Sequence, residues 1–266
     1  MRRRLDTELV RRGLAESRQR ALAVIEAGRV RVRGVPALSA ARRVTGDEPI
    51  SVTGDAPRFV SRGGEKVAGA VEHFAIDVMG RNALDAGAST GGFTDCLLQE
   101  GAAHVVAVDV GHGQLAWSLR NDPRVRVLER TNVRYLEPEA IGGPADLCTA
   151  DLSFISLSVC APALARCTTA DADLVLLVKP QFEAGRGQVG KGGVVRDPSV
   201  HRAVLRRVRD DLVAAGVRPI AVTPSPLRGA DGNLEFFFHC RKDAERHLSD
   251  DDLDTAIECG HGGAPR

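Results

Sequence analysis

The sequence predicts an α/β protein, a doubly wound and mainly parallel sheet preceded by a small α+β module. Strand and helix signals alternate from Ala83 to Cys240, residues 1–60 read as two helices followed by short alternating strands, and the charge divides at the same place. At 266 residues, with 43% hydrophobic and 27% charged residues, the chain can fill one full domain plus an appendage and is neither fibrous nor disordered. Its longest apolar runs, Ala21 to Ile25 and Leu174 to Val178, are five residues long, against the roughly 18 to 20 needed to span a bilayer. No apolar stretch or small-residue cleavage site follows the basic start, so a cytoplasmic protein without a secretory signal or membrane partner is expected. Six cysteines form no Cys-x-x-Cys pair and seven histidines no pair at ligand spacing, which predicts reduced thiols and no metal.

In the first segment Asp6 reads as an N-cap, Leu9 and Val10 begin an apolar face, and Gly13 ends the helix. Ser17 caps a second helix that runs through Ala21, Leu22, Val24 and Ile25 to Gly28. Val30, Val32 and Val35 then alternate as strand and turn, and Ile50 to Val52 and Phe59 to Val60 read as further short strands. Residues 1–66 hold 15 Lys and Arg against 8 Asp and Glu, a net +7, and the remainder holds 21 against 27, a net −6. A basic module joined to an acidic one suits a segment that finds a polyanion. Arg3, Arg4, Arg11, Arg18 and Arg20 lie on or beside the helices, where guanidinium forks can reach phosphates. The run from Leu5 to Val60, with Leu5-x-x-x-Leu9-Val10-x-x-Gly13-Leu14, Ser17-Arg18 and Gly28-x-Val30-x-Val32-x-Gly34, resembles the S4-type RNA-binding domain. That resemblance implies RNA binding by residues 1–60, with 61–66 as a linker, 67–245 as the second domain and 246–266 as a tail.

In the second segment Leu84 precedes Asp85-Ala-Gly-Ala-Ser-Thr-Gly-Gly-Phe93, and Phe93, Leu97 and Leu98 carry a helix to Gly101. A strand from His104 to Val108 ends at Asp109, a helix is expected around Gln114 to Leu119, and strands follow at 125–128, 146–150, 174–178, 217–223 and 235–240. Ligands of such a sheet sit at the carboxyl ends of its strands. The spacing of Gly87, Gly91 and Gly92 departs from the dinucleotide G-x-G-x-x-G and lacks a Walker Lys-Ser/Thr, which argues against NAD and nucleoside triphosphates. Asp109, 24 residues after Asp85, is placed to accept from both hydroxyls of a ribose.

The glycine-rich motif resembles that of S-adenosylmethionine-dependent methyltransferases, particularly the heat-shock-type, FtsJ-like RNA 2′-O-methyltransferases. The resemblance implies a Rossmann-like fold and a cofactor set of Asp85, Gly87, Ala88, Ser89, Gly91, Gly92, Phe93, Asp109, Asn132 and Asp151 for S-adenosylmethionine.

Four polar residues stand where a parallel sheet exposes them: Lys66, Asp151, Lys179 and Glu235. A lysine directly after Leu-Val-Leu-Leu-Val is costly unless paired or functional. Methylating a ribose hydroxyl needs a group that takes or steers its proton during in-line attack, and Lys179 suits that task, with Lys66 as a cationic neighbour expected to lower its pKa. Asp151 and Glu235 are expected to orient the two ammonium groups. Amine methylation is disfavoured because Asp151-Leu-Ser-Phe154 lacks the Pro-Pro step, and carbon-5 methylation because Cys148 lies inside a strand. The Lys-Asp-Lys-Glu order resembles the tetrad of ribose 2′-O-methyltransferases.

The words Arg62-Gly-Gly-Glu-Lys66, Asp151-Leu-Ser-Phe-Ile-Ser156 and Val178-Lys-Pro-Gln-Phe-Glu183 resemble the TlyA family, which also carries the name hemolysin A, from Arg3 to Cys240. This implies cytidine 2′-O-methylation of ribosomal RNA, with ribosomal subunits as partners. A non-catalytic ribosome assembly factor is the alternative that an intact tetrad opposes. A membrane-active hemolysin is opposed by the absence of a spanning or strongly amphipathic basic segment. Arg62 is expected to meet RNA, and the glycine-rich loop from Gln181 to Asp197, with Arg186 and Lys191, suits a lid that orders on RNA, a plain disordered surface loop being the alternative. Phe182 reads as an apolar anchor, with a base-stacking platform as the alternative, and Trp117 and Tyr135 read as packing residues, with a border to the adenine as the alternative for Trp117.

Overall fold

The computed structural model describes residues 2–262 apart from 16, 27, 55, 56, 186 and 191. The chain divides into two compact units, Met1–Pro57 and Arg58–Arg266.

In the first unit β1 (Arg3–Arg4) leads into α1 (Leu5–Arg11) and α2 (Arg18–Glu26), followed by β2 (Val30–Val32), β3 (Val35–Pro36), β4 (Arg43–Val44) and β5 (Ile50–Val52). β1 pairs with β4, and β3-β2-β5 form an antiparallel three-stranded sheet. Leu5 and Leu9 of α1 and Ala21 and Ile25 of α2 meet Val30 and Val32 in a closed apolar core. Ser17 accepts from the Arg20 amide at 3.1 Å, as a capping residue should. Asp6 does not cap α1: the helix opens on Arg4, and Asp6 lies buried in its first turn. Its carboxylate accepts instead from the Thr7 amide and from the guanidinium groups of Arg4 and Arg18. Two cations outcompete the local capping geometry, and an acid near a helix N-terminus is favoured in either place.

The second unit begins with α3 (Arg62–His73) and continues β6 (Asn82–Ala86), α4 (Gly92–Gln99), β7 (His104–Val108), α5 (Trp117–Arg120), β8 (Val125–Leu128) and α6 (Pro138–Ile141). It is completed by β9 (Ala145–Ala150), α7 (Leu157–Arg166), β10 (Thr168–Val178), α8 (Pro180–Glu183), α9 (Pro198–Ala214), β11 (Arg218–Pro224), β12 (Phe236–Arg241) and α10 (Asp250–Gly262). The seven strands lie in the order β11-β12-β10-β9-β6-β7-β8, parallel except at β12, which runs antiparallel to both neighbours. The chain leaves β6 toward β7 on one side and returns to β9 on the other. The crevice for a ligand therefore opens between the carboxyl ends of β6 and β9.

The Phe236-Phe237-Phe238 run shows how the sheet is covered, because alternate side chains face opposite layers. Phe236 and Phe238 pack with α7, α9 and α10, whereas Phe237 packs with Phe93 and Leu97 of α4 and Val67 of α3.

Several expectations need correction. Phe59 and Val60 form no strand; Phe59 is buried in the second unit's core. The stretch 61–66, expected to be a linker, is helical from Arg62, because Val67, Ala70 and Val71 give α3 a continuous apolar face that outweighs the two glycines in its first turn. The expected tail contains α10, whose Leu253, Ala256, Ile257 and Gly260 recur at helical spacing and are buried. Among the described residues no helix is long and apolar enough to cross a membrane.

Candidate active site

The loop after β6 forms the floor of the crevice. Asp85 is fully buried beneath it, where it accepts from the hydroxyls of Thr94 at 2.6 Å and Thr149 at 3.2 Å. Burial pushes its carboxyl up to about 6, the two hydroxyl bonds opposing that rise. With both oxygens engaged, Asp85 ties the start of α4 to β9 beneath the cleft. Gly87 has φ +88°, and a Cβ there would lie 2.6 Å from the Asp151 carbonyl oxygen. The loop after β6 and the end of β9 thus touch backbone to backbone. Gly92 is equally constrained: its Cβ would lie 2.2 Å from Ser61 Oγ and 2.7 Å from the Gly64 nitrogen, where α3 and α4 begin.

Above this floor lies a cleft of about 260 Å³ lined by Ser61, Lys66, Gly87, Ser89, Asp151 and Arg228, among others. A second depression shares Ala88 and Ser89 with it and reaches Asp109, Gly111, Leu115 and Val127. Asp109 ends β7 with each carboxylate oxygen accepting one backbone N–H: Oδ2 from Ser89 at 2.8 Å and Oδ1 from Gly111 at 2.6 Å. A carboxylate offers about four lone-pair directions. The remaining ones suit two vicinal hydroxyls, so these residues fit a nucleoside laid along the loop. Asn132 is exposed and caps the short helix Val133–Tyr135 by accepting from Arg134 at 3.0 Å; it lies outside the residues lining either depression. Phe93 is buried against Phe237, with ring centroids 6.1 Å apart.

The four candidate catalytic residues form two ion pairs. Lys66 Nζ lies 2.6 Å from Glu235 Oε2, with both side chains buried. Lys179 Nζ lies 2.5 Å from Asp151 Oδ1 and donates to Ser153 Oγ at 2.8 Å. The contact with Asp151 Oδ1 is ionic; that oxygen has no partner in hydrogen-bond geometry among the described residues. Lys66 and Asp151 line the first of these depressions together. Glu235 stands just before β12 rather than in it, its other oxygen 3.4 Å from Gln181 Nε2. Cys148 is buried in β9 with its thiol pushed up by desolvation, which removes it as a nucleophile.

Arg62 lines the cleft and donates to the Arg228 carbonyl at 2.8 Å, and Arg228 in turn donates to the Gly260 carbonyl at 3.0 Å. Sequence reasoning missed Arg228, although the glycine-rich word Arg228-Gly-Ala-Asp-Gly232 just before Glu235 marks a turn at the strand end. It also missed Ser153. Arg186 and Lys191 lie outside the described residues. Around them the loop expected to be a lid is held down: Val194 and Val195 are buried, and Asn233 accepts from the Val195 amide and donates to the Gly193 carbonyl, each at 3.0 Å. Phe182 packs on Phe154, with centroids 5.1 Å apart, and Phe154 is 92% exposed. Trp117 and Tyr135, expected to be packing residues, are 76% and 68% exposed.

In the first unit two buried acids organise the arginines. Asp6 holds Arg4 and Arg18, at 3.1 and 2.9 Å. Glu8 holds Arg11 at 2.6 Å and Arg12 at 2.8 Å, with Arg3 at 4.0 Å. Arg20 donates to the Pro57 carbonyl at 3.0 Å. Arg12 is spent on structure, since it also donates to the carbonyls of Thr45, Gly46 and Glu48. Arg3, Arg4, Arg11 and Arg18 keep 38–63% of their side-chain surface.

Residues 59–242 match the FtsJ-like methyltransferase family and residues 3–50 the S4 domain. The chain is 57% identical over 259 residues to the 16S/23S rRNA (cytidine-2′-O)-methyltransferase TlyA of Mycobacterium tuberculosis, covering 96% of this chain and 95% of that protein. It is 40% identical to Hemolysin A of Brachyspira hyodysenteriae over 89% of this chain and 98% of the other. A solved Streptococcus thermophilus structure that carries a hemolysin name superposes with a TM-score of 0.79 at 38% identity, over 98% of this chain and 96% of that one.

Proposed function

The chain belongs to the TlyA group of the FtsJ-like methyltransferase family, and on that premise we propose that it methylates the 2′-hydroxyl of a cytidine ribose in ribosomal RNA, with S-adenosylmethionine as methyl donor. The observation that carries this reading is the Lys179–Asp151 pair, held at 2.5 Å directly after the loop crossing at Gly87. S-adenosylmethionine, when bound, supplies a methyl group on a cationic sulfonium. Asp109 would hold its ribose, and Ala88 and Ser89 would lie along it. Lys179 lies in ionic contact with Asp151 and donates one hydrogen bond, to Ser153, so its nitrogen keeps capacity for the hydroxyl of the substrate. As a free amine it takes the proton that the hydroxyl loses while that oxygen attacks in line. Asp151 fixes the lysine, and Glu235 fixes Lys66, which lines the cleft. The arginines held by Asp6 and Glu8 supply phosphate contacts that add affinity without reading sequence. Such a substrate fits a cytoplasmic protein that acts on small- and large-subunit RNA. Transfer of tritiated methyl groups to purified, unmodified ribosomal subunits, followed by mapping of the modified ribose, tests the proposal: label on a cytidine 2′-oxygen supports it, and label on a base or none overturns it.

A further inference from the structure

Adjacent parallel strands β9 and β10 deliver two loops to one place, 151–156 and 179–183. Among the described residues no backbone hydrogen bond joins these loops, so side chains set their separation. Lys179 reaches Asp151 and Ser153, Phe182 packs on Phe154, and Glu183 reaches furthest. Glu183 is buried, and its two oxygens accept from the Ser156 hydroxyl at 2.7 Å and the Leu157 amide at 2.6 Å, where α7 begins. Between these anchors Phe154 holds φ +63°, a left-handed conformation that persists in a bulky residue only where the surroundings impose it. Arg207 on α9 donates to the Glu183 carbonyl and lies 3.9 Å from its carboxylate. Burial pushes the Glu183 carboxyl above its ordinary range, although α7 already has a cap in Ser156, whose hydroxyl oxygen accepts from the Ser158 amide at 3.2 Å.

We propose that Glu183 is a positioning residue for methyl transfer: by clamping the loop after β9 to the turn after β10, it sets the separation at which Lys179 meets Asp151 and Ser153. This rests on the assignment of Lys179 to the transfer step. A carboxylate serving only to cap α7 would affect folding and leave the transfer rate of the folded enzyme untouched.

The test is single-turnover methyl transfer to unmodified ribosomal subunits, with cofactor affinity by calorimetry and thermal midpoints, for Glu183→Ala, Glu183→Gln and Ser156→Ala. In Glu183→Ala the rate should fall tenfold or more, toward the roughly 100-fold that a 1 Å misplacement costs, while cofactor and RNA affinities stay within about twofold. Glu183→Gln keeps an acceptor for the Leu157 amide and should hold the rate within about threefold of wild type. If Glu183→Ala does not fold, Ser156→Ala keeps the proposal exposed: it removes one of the two links to Glu183 and should slow transfer per folded molecule at unchanged cofactor affinity. A full rate per folded molecule in Glu183→Ala, or in Ser156→Ala where Glu183→Ala does not fold, overturns the clamp. Lys179→Ala separates the two failures: if it transfers at the wild-type rate the assignment beneath the proposal is wrong, whereas a silent Lys179→Ala beside a fully active Glu183→Ala refutes the clamp alone.

Discussion

The ammonium of Lys66 and the carboxylate of Glu235 meet at 2.6 Å across 169 residues of sequence, joining α3 to the residue just before β12 with almost no exposure to water. Breaking such a pair by removing one partner leaves a buried charge uncompensated, which costs about 3–5 kcal/mol. Glu235→Ala should therefore destabilise the protein strongly in denaturant titrations. The uncharged pair Lys66→Met/Glu235→Gln should recover most of that loss and still fail to methylate. Equal instability of the single and double variants would show that the pair matters for something other than charge.

Asp109→Ala should weaken S-adenosylmethionine binding by more than about tenfold, since hydrogen bonds to a charged acceptor contribute about 1.5–3 kcal/mol each. RNA affinity should not change, because this carboxylate sits beside Ser89 and Gly111 at the cofactor loop. Calorimetry with each ligand decides the matter, and unchanged cofactor affinity would remove Asp109 from the site.

Gly92→Ala inserts a methyl 2.7 Å from the Gly64 nitrogen, and backbone there cannot step aside cheaply. Helices α3 and α4 must separate, at about 1–3 kcal/mol by analogy with overpacked cores. Both the thermal midpoint and cofactor affinity should drop; wild-type values for both would mean that the close approach is not needed.

The Glu8 carboxyl is held down to about 2, first by its hydrogen bond to Arg11 and then by that to Arg12. A depressed carboxyl stabilises the folded state above its ordinary value of 4.5, and that contribution drains away as pH falls from 4.5 toward 2. Acid titration of the wild type should show this loss, and Glu8→Gln should flatten it. Glu8→Gln should also weaken RNA binding although it removes a negative charge, because it releases Arg3 and Arg11 from their fixed directions. Tighter binding in a salt titration would show that net charge, not arrangement, governs this face.

Much of this was legible where chemistry demands a residue type at a fixed strand end. The glycine loop after β6, Asp109 after β7, Asp151 after β9 and Lys179 after β10 all follow from alternating strand and helix signals. The pairing of the four catalytic candidates was not. Asp151 meets Lys179 because β9 and β10 are neighbours, and Glu235 reaches Lys66 because β12 inserts antiparallel between β10 and β11, an order no local pattern encodes. Asp6 misled because a capping residue and a buried acceptor for Arg4 and Arg18 look alike in sequence. The acidic start Asp250-Asp-Asp252 concealed α10, although its apolar spacing was there to be counted. Trp117 beside a helical pattern reads by default as packing, and it stands in solvent.

The central claim is that Lys179 acts on the transferring methyl group's acceptor rather than on ground-state binding. Single-turnover methylation of unmodified ribosomal subunits by wild type, Lys179→Ala and Lys179→Arg tests it directly. Lys179→Ala should be folded, bind cofactor and RNA, and transfer no methyl group. Lys179→Arg should fail as well, since a guanidinium is bulkier and does not give up its proton in a protein. A Lys179→Ala rate close to wild type would contradict both the site assignment and the 2′-O chemistry built on it.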